Sequence, residues 1–173
     1  VECWIWPDGT SLASTAGIYS NAVESSGTSG SIRISINGTD ETSLTVKADS
    51  TALITTSSGV VTVNAWNHVA LVRSGSSSNN MTLYVNGSSV GTATNTTDWD
   101  QQYALIGNNI ISGTSYSWKG YISDLRVVPG TAITPNSGGP SSRLTAVTNT
   151  DLLVCHLPYI ADGSTNNHSI TVN

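Results

Sequence analysis

Apolar and polar side chains alternate along most of this chain, and this period of two constrains the fold more than any other feature. Residues 31–36 place three isoleucines on one side of an extended strand and polar groups on the other, and residues 43–48 repeat the pattern. A convincing helical period over about 12 residues is missing from the sequence. The sequence therefore predicts an all-β chain.

Turn signals divide the chain into short strands. Residues 66–73 and 81–85 are expected to form a hairpin across the polar loop 74–80, and Asn86-Gly87 predicts a two-residue turn after it. Turn residues recur about every 8–12 positions, which is the spacing of a β-sandwich. The polar stretch 135–142 is predicted to be a surface loop inside a single domain, residues 1–173. Further strands are predicted at 60–63, 103–106, 120–128, 152–157 and 169–172.

Composition excludes several functional classes. The chain has 173 residues, only 10% of them charged, with a net charge of -5, so a basic nucleic-acid-binding surface is excluded. No apolar run approaches the roughly 20 residues that a membrane-spanning helix needs, so membrane insertion is not expected. Ser, Thr, Gly and Asn replace the charged residues and predict a polar, uncharged surface.

The two cysteines lie near opposite ends of the chain. Cys3 and Cys155 form no CxxC pair, so a structural zinc site is not indicated. A disulfide between them requires neighbouring terminal strands, and two buried free thiols are the alternative. The opening Val1-Glu2-Cys3 resembles the middle of a strand, so a fragment of a longer polypeptide is expected.

The carboxylates do not favour catalysis. Only three glutamates are present, and Asp98 and Asp100 are the one pair that an extended segment would place on a common face. Their polar context indicates a loop with solvated side chains. His68 follows Trp66 inside a predicted strand and is expected to be a hydrogen-bonded structural imidazole.

Trp99 is the candidate for sugar recognition. It is flanked by Asp98 and Asp100, and an exposed indole beside carboxylates can stack on the C–H face of a sugar while the polar groups bind hydroxyls. Tyr103 completes the predicted contact set. The alternative for Trp99 is a ring folded back onto the edge of the sandwich. The other tryptophans are expected in core or inter-sheet packing: Trp4, Trp6, Trp66 and Trp118.

Asp124 is the candidate metal ligand. A hard cation such as calcium prefers oxygen ligands, often a carboxylate with backbone carbonyls. The alternative is a structural pair between Asp124 and Arg126 on one face of a strand.

An ordered series of motifs runs along the chain: ECWIWP at 2–7, GIYS at 17–20, WNHVALVR at 66–73, LYVNG at 83–87, LIG at 105–107 and WKGYISDLRV at 118–127. The series resembles the laminin-G-like branch of the concanavalin A-like lectin/glucanase superfamily. The closing stretch 144–155 is similar to the variant found in tail and virion proteins of bacteriophages.

The resemblance implies a jelly-roll sandwich of two antiparallel sheets, one of them concave, with ligands bound at a loop rim and a structural calcium ion in many members. It places Asp124 where related sandwiches carry a metal-ligating carboxylate, although many phage-type members carry Asn there. Three departures are clear. The usual strand before Glu2 is missing, Thr134 stands where the family tends to carry an aromatic residue after residues 130–133, and the Glu-x-Asp-x-x-Glu strand of the glucanases is missing.

The sequence thus predicts a non-catalytic binding or adhesion module, not an enzyme, in a tail or capsid-associated protein at the virion surface or outside the cell. Its partner would be a carbohydrate of the host surface. A structural role in virion decoration or assembly, with neighbouring virion proteins or further copies of the chain as partners, is the alternative. A polysaccharide-degrading enzyme is the remote third.

Overall fold

The computed structural model describes residues 1–10, 15–22, 29–100, 103–108, 110–111 and 114–172. These residues form strands, turns and loops and contain no helix, so none of them builds an apolar helix long enough to span a bilayer. The strands are β1 (Glu2–Pro7), β2 (Ala16–Ser20), β3 (Ile32–Ile36), β4 (Leu44–Ala48), β5 (Thr51–Thr55), β6 (Asn67–Arg73), β7 (Met81–Val85), β8 (Ser88–Ala93), β9 (Leu105–Ile106), β10 (Ile110–Ile111), β11 (Thr114–Ser115), β12 (Gly120–Val127) and β13 (Leu152–Val154).

Two antiparallel sheets form the sandwich, as predicted. One has six strands in the order β13-β12-β1-β6-β7-β8, and the other has five in the order β5-β4-β3-β2-β9. The short β10 and β11 pair separately with each other. Isoleucine, leucine and valine side chains from the facing sides of both sheets fill the space between them.

The sandwich is closed on one side and open on the other. At the closed side β5 and β8 approach so closely that a Cβ on Gly91 would lie 2.5 Å from the Ile54 side chain. At the other side, where β9 and β13 end the two sheets, a cleft of about 1740 Å³ opens to solvent. Two of the predicted contact residues, Trp99 and Tyr103, line this cleft.

Most of the predicted hairpins are confirmed. Strands β6 and β7 pair from Val69↔Val85 to Arg73↔Met81, and β7 and β8 are joined at Asn86-Gly87, both with positive φ (50° and 75°). That pair of angles is the left-handed turn that matches the twist of the flanking strands.

Four strand predictions need correction. Of residues 103–106, only Leu105–Ile106 form a strand. Residues 60–63 form bends and the start of a turn, in which the Val61 amide donates to the Thr42 carbonyl and the Asn67 side chain binds Thr62. Strand β13 ends at Val154 because Cys155 adopts a φ of 59°, which breaks the extended backbone. Residues 169–172 are irregular and leave Val172 68% exposed.

The cysteines are free thiols in this structure. Cys3 is buried in β1 and Cys155 is exposed just after β13, and β12 lies between those two strands. The neighbouring terminal strands that a disulfide requires are therefore not formed. Burial raises the pKa of the Cys3 thiol to about 12.

Candidate functional site

A buried charged cluster lies on the outer face of the six-stranded sheet. The register places Glu2 opposite Arg126 of β12, and Trp4 opposite His68 of β6. Oε1 of Glu2 accepts hydrogen bonds from Nε and Nη2 of Arg126 at 3.1 and 2.6 Å, and Oε2 lies 3.1 Å from Nε2 of His68. His68 is therefore the hydrogen-bonded structural imidazole that the sequence predicted.

The cluster controls the charge state of Glu2. Burial by itself would raise the pKa of this carboxyl group, but the hydrogen bonds from His68 and Arg126 outweigh burial and hold the pKa below its ordinary value. Glu2 is therefore a carboxylate at neutral pH, and its charge is compensated by Arg126.

The loop of residues 131–150 buries this cluster. Its Thr145 carbonyl accepts a hydrogen bond from Nη1 of Arg126 at 2.6 Å. A Cβ on Gly139 would lie 2.7 Å from Cβ of His68, so only glycine permits this approach. The amide of Gly138 donates to the Asn86 carbonyl at 2.9 Å. The predicted surface loop, residues 135–142, therefore belongs to a longer segment that covers the sheet face at Glu2, His68 and Arg126.

Asp124, the predicted metal ligand, is the extra residue of a β-bulge. Two steps along β1, from Glu2 to Trp4, are matched by three steps along β12, from Arg126 to Ser123, and Asp124 takes a φ of 52°. Its Oδ1 accepts from the Leu144 amide at 3.0 Å, and its Oδ2 accepts from the Ser123 hydroxyl at 2.6 Å.

Asp124 therefore ties the covering loop to β12. Arg126 binds Glu2 in place of the predicted structural pair with Asp124. Within the described parts of the chain, no three His, Cys, Asp or Glu side chains are grouped closely enough to hold a metal ion. The calcium site at Asp124 stays a prediction.

Trp99, the predicted sugar contact, is half-buried and packs against the core cluster. The guanidinium carbon of Arg73 lies 3.9 Å from the centroid of the indole, and Nη1 of Arg73 donates to the Thr97 carbonyl at 2.6 Å, which fixes the cation over the ring. The ring has thus folded back onto the sandwich, which is the alternative given above.

The other predicted contacts lie around the same cleft or beside it. Tyr103 is 60% exposed and lines the cleft together with Trp99. Asp98 and Asp100 are exposed and are not part of its lining, and the Asp100 carboxylate lies against the backbone of Gly30. Gln101 and Gln102 lie outside the described residues.

Three aromatic rings form a second candidate site, and the sequence predicted core or inter-sheet packing for two of them, Trp6 and Trp66. Trp6 of β1 is paired with Tyr121 of β12, and Trp66 immediately precedes β6. The Trp6 and Trp66 centroids are 5.8 Å apart at an interplanar angle of 73°, and the Trp66 and Tyr121 centroids are 6.5 Å apart. Trp66 is 43% and Tyr121 66% exposed, so the core prediction is wrong for Trp66.

A signal for this site was present in the sequence. Trp4 and Trp6 are two residues apart in a predicted strand and must share a face. Since Cys3 and Ile5 fill the core, Trp4 and Trp6 have to be on the outer side, so the core prediction is wrong for these two as well. Among the tryptophans predicted to be core residues, Trp118 does pack against the core cluster.

Comparison with known protein families gives a match over residues 1–136, to a laminin-G-type family described as concanavalin A-like lectin/glucanases superfamily. The chain belongs to the concanavalin A-like lectin/glucanases superfamily. Its two antiparallel sheets are consistent with the jelly-roll sandwich of this superfamily. A search of curated proteins finds no match.

Among solved structures, this lectin-type chain is similar to a candidate carbohydrate binding protein from Bacteroides ovatus ATCC 8483. The two share 18% sequence identity with a TM-score of 0.58, over 93% of this chain and 48% of the other. The chain thus spans about half the length of that protein, and at this identity the similarity concerns the fold.

Proposed function

We propose that this domain is a non-catalytic carbohydrate-binding module. The observation that carries the proposal is the open cleft of the lectin-type sandwich, which the aromatic side chains of Trp99 and Tyr103 line together. A volume of about 1740 Å³ exceeds the ordinary range for small-molecule pockets, roughly 300–1,000 Å³, and suits an extended ligand.

The surface composition supports neutral sugars as the ligand class. Only 10% of the residues are charged, while hydroxyl and amide side chains are abundant. Contacts with such groups depend on hydrogen bonds, which salt screens far less than charge pairs. Asp98 and Asp100 remain proposed contacts at the rim, and a structural calcium ion at Asp124 remains part of the proposal.

The narrower biological setting rests on the sequence resemblance at residues 144–155. We propose a virion-exposed tail or capsid-associated protein that recognises carbohydrate on the host surface. Binding of the purified domain to whole cells of the host, and its competition by the free sugar, test this setting.

A role in assembly is the second candidate function. The C-terminal segment leaves Tyr159, Ile160 and Val172 more than 60% exposed, and large exposed apolar side chains favour contact with a partner. Self-association with rising protein concentration, measured by light scattering after size-exclusion chromatography, would support this role.

A glycan array tests carbohydrate binding. The array is run once in calcium and once with a chelator. The purified domain is expected to bind a limited set of neutral glycans. The Tyr103→Ala variant, which removes an exposed ring at little risk to folding, should weaken binding through the cleft. Trp99→Ala also removes core packing, so its melting temperature has to be measured alongside. A folded wild-type protein that binds no glycan would contradict the proposed function.

A further inference from the structure

We propose that Trp6, Trp66 and Tyr121 form an aromatic platform on the outer face of the six-stranded sheet, which stacks against the neutral pyranose rings of a glycan chain. This inference rests on the proposed carbohydrate binding and assigns it a site separate from the Trp99 cleft. None of the three residues lines that cleft.

The platform is built by three neighbouring strands. Because β12, β1 and β6 are adjacent in the sheet, Tyr121, Trp6 and Trp66 lie side by side across it. The Trp66 and Tyr121 rings approach to 6.5 Å at an interplanar angle of 42°, although β1 lies between their strands. The rings of Trp6 and Trp66 meet in a T-shaped arrangement. Two exposed rings beside a half-buried third are the result.

A close backbone approach and two hydrogen bonds of a buried asparagine fix the segments that carry the platform. A Cβ on Gly120 would lie 1.9 Å from the Trp6 carbonyl oxygen, so β12 can approach β1 this closely only at a glycine. On the other side, the turn that carries Trp66 is fixed by buried Asn67, whose Nδ2 donates to the carbonyls of Thr62 and Ala65 at 2.8 and 2.9 Å. A binding surface that is ordered before it meets its ligand loses less entropy on binding.

The loop of residues 131–150 limits the platform at one end. It covers the same sheet face at His68, whose ring lies 5.3 Å from Trp4. Two residues further along β1, Trp6 is half-buried, and Trp66 and Tyr121 beside it are 43% and 66% exposed. The exposed rings of the platform therefore lie beyond the part of the sheet face that this loop covers.

The chemistry around the rings fits a neutral sugar. Aromatic rings present a flat apolar face, and tyrosine and tryptophan also carry a polar atom at the edge. Asp8, Asn64 and Lys119 lie within two residues of the three ring residues along the chain, and Oδ1 of Asp8 accepts hydrogen bonds from the amide and hydroxyl of Thr10. One negative and one positive group balance each other, which gives no preference for a charged sugar.

The test compares ring removal at two equally exposed tyrosines. Wild-type protein is first screened on a glycan array, and the affinity for the best neutral glycan is then measured by isothermal titration calorimetry. Tyr121→Ala should weaken that affinity by about tenfold or more, and Trp66→Ala by at least as much. Tyr159, which is 64% exposed against 66% for Tyr121, lines the Trp99 cleft and not the platform. For a glycan held by the platform, Tyr159→Ala should bind as the wild type does. A loss in Tyr159→Ala with full binding by Tyr121→Ala would place the glycan in the cleft and overturn the platform.

Further measurements separate the outcomes. Tyr121→Phe keeps the ring and should retain most of the affinity, and raising the salt concentration should change it little. Wild-type binding that survives both Tyr121→Ala and Trp66→Ala would overturn the platform and leave the carbohydrate-binding function standing. A wild-type protein that binds no glycan would overturn both. Self-association lost in Tyr121→Ala, without competition by any sugar, would assign the platform to a protein contact and overturn the proposal.

Discussion

Glu2 and Arg126 are 124 residues apart in sequence, yet the Oε1 atom of Glu2 accepts two hydrogen bonds from the Arg126 guanidinium, at 2.6 and 3.1 Å. Both side chains are less than 10% exposed. This contact joins the first and last long strands of the six-stranded sheet underneath the covering loop.

Removing one partner of this contact should destabilise the domain strongly. Glu2→Ala leaves the Arg126 guanidinium buried without its carboxylate, which typically costs about 3–5 kcal/mol in the free energy of unfolding. The double variant Glu2→Leu/Arg126→Met should recover part of the loss because it buries no charge. Urea unfolding measures both. A loss below about 1 kcal/mol in Glu2→Ala would contradict a buried pair.

The same carboxylate should make stability depend on pH in the acid range. In the folded protein the pKa of Glu2 lies below its ordinary value of 4.5. The stabilisation of the fold by ionised Glu2 is therefore fully present above about pH 4.5 and is lost as the pH falls through the folded-state pKa. The difference in unfolding free energy between wild type and Glu2→Gln should therefore shrink on acidification. Denaturant titrations of both proteins between neutral pH and pH 3 test this, and a difference that stays constant would contradict it.

Two adjacent glycines test the covering loop. Gly138 and Gly139 have φ values of 81° and 84°, but only a Cβ on Gly139 meets a neighbour, the His68 side chain at 2.7 Å. Gly139→Ala should therefore cost about 1–3 kcal/mol more than Gly138→Ala, through overpacking alone. Limited trypsin digestion at Arg143 should also become faster in Gly139→Ala. Equal behaviour of the two variants would show that the loop does not press on His68.

Substitutions of Asp124 should separate its structural role from a metal-binding one. Asp124→Ala leaves the Leu144 amide unpaired and should cost about 1–3 kcal/mol. Asp124→Asn keeps an acceptor oxygen and tolerates the left-handed backbone, so its loss should be smaller. Thermal unfolding in calcium and in chelator is the companion measurement. A calcium-induced rise in melting temperature that Asp124→Asn abolishes would support the predicted metal site.

The two thiols should react at different rates. Partial burial raises the pKa of Cys155 as well, but this thiol is accessible to solvent. Burial raises the pKa of Cys3 to about 12, which leaves almost no thiolate at pH 8. A colorimetric disulfide reagent should therefore titrate one thiol per native chain and two in denaturant. Cys155→Ser should remove the native signal. Failure to detect any thiol in denaturant without reductant would indicate a disulfide.

The sequence by itself determined the all-β class and most of the hairpins, because alternation and turn chemistry act over a few residues. The Asn86-Gly87 turn and the isoleucines of β3 needed no information from elsewhere in the chain. Residues 60–63 and 169–172 were predicted to be strands from the same kind of pattern, but within the described parts of the chain neither segment pairs with a strand.

Only the tertiary structure decided which side chains on the outer faces are exposed. The sequence shows that Trp4 and Trp6 share a face with Glu2, but the cover that buries Glu2 comes from residues 131–150. The exposed rings of Trp66 and Tyr121 meet only because β12, β1 and β6 are neighbours in the sheet. Strand order joins residues more than 50 positions apart, and no local pattern encodes that distance, so the charged cluster and the aromatic platform appear only in the folded chain.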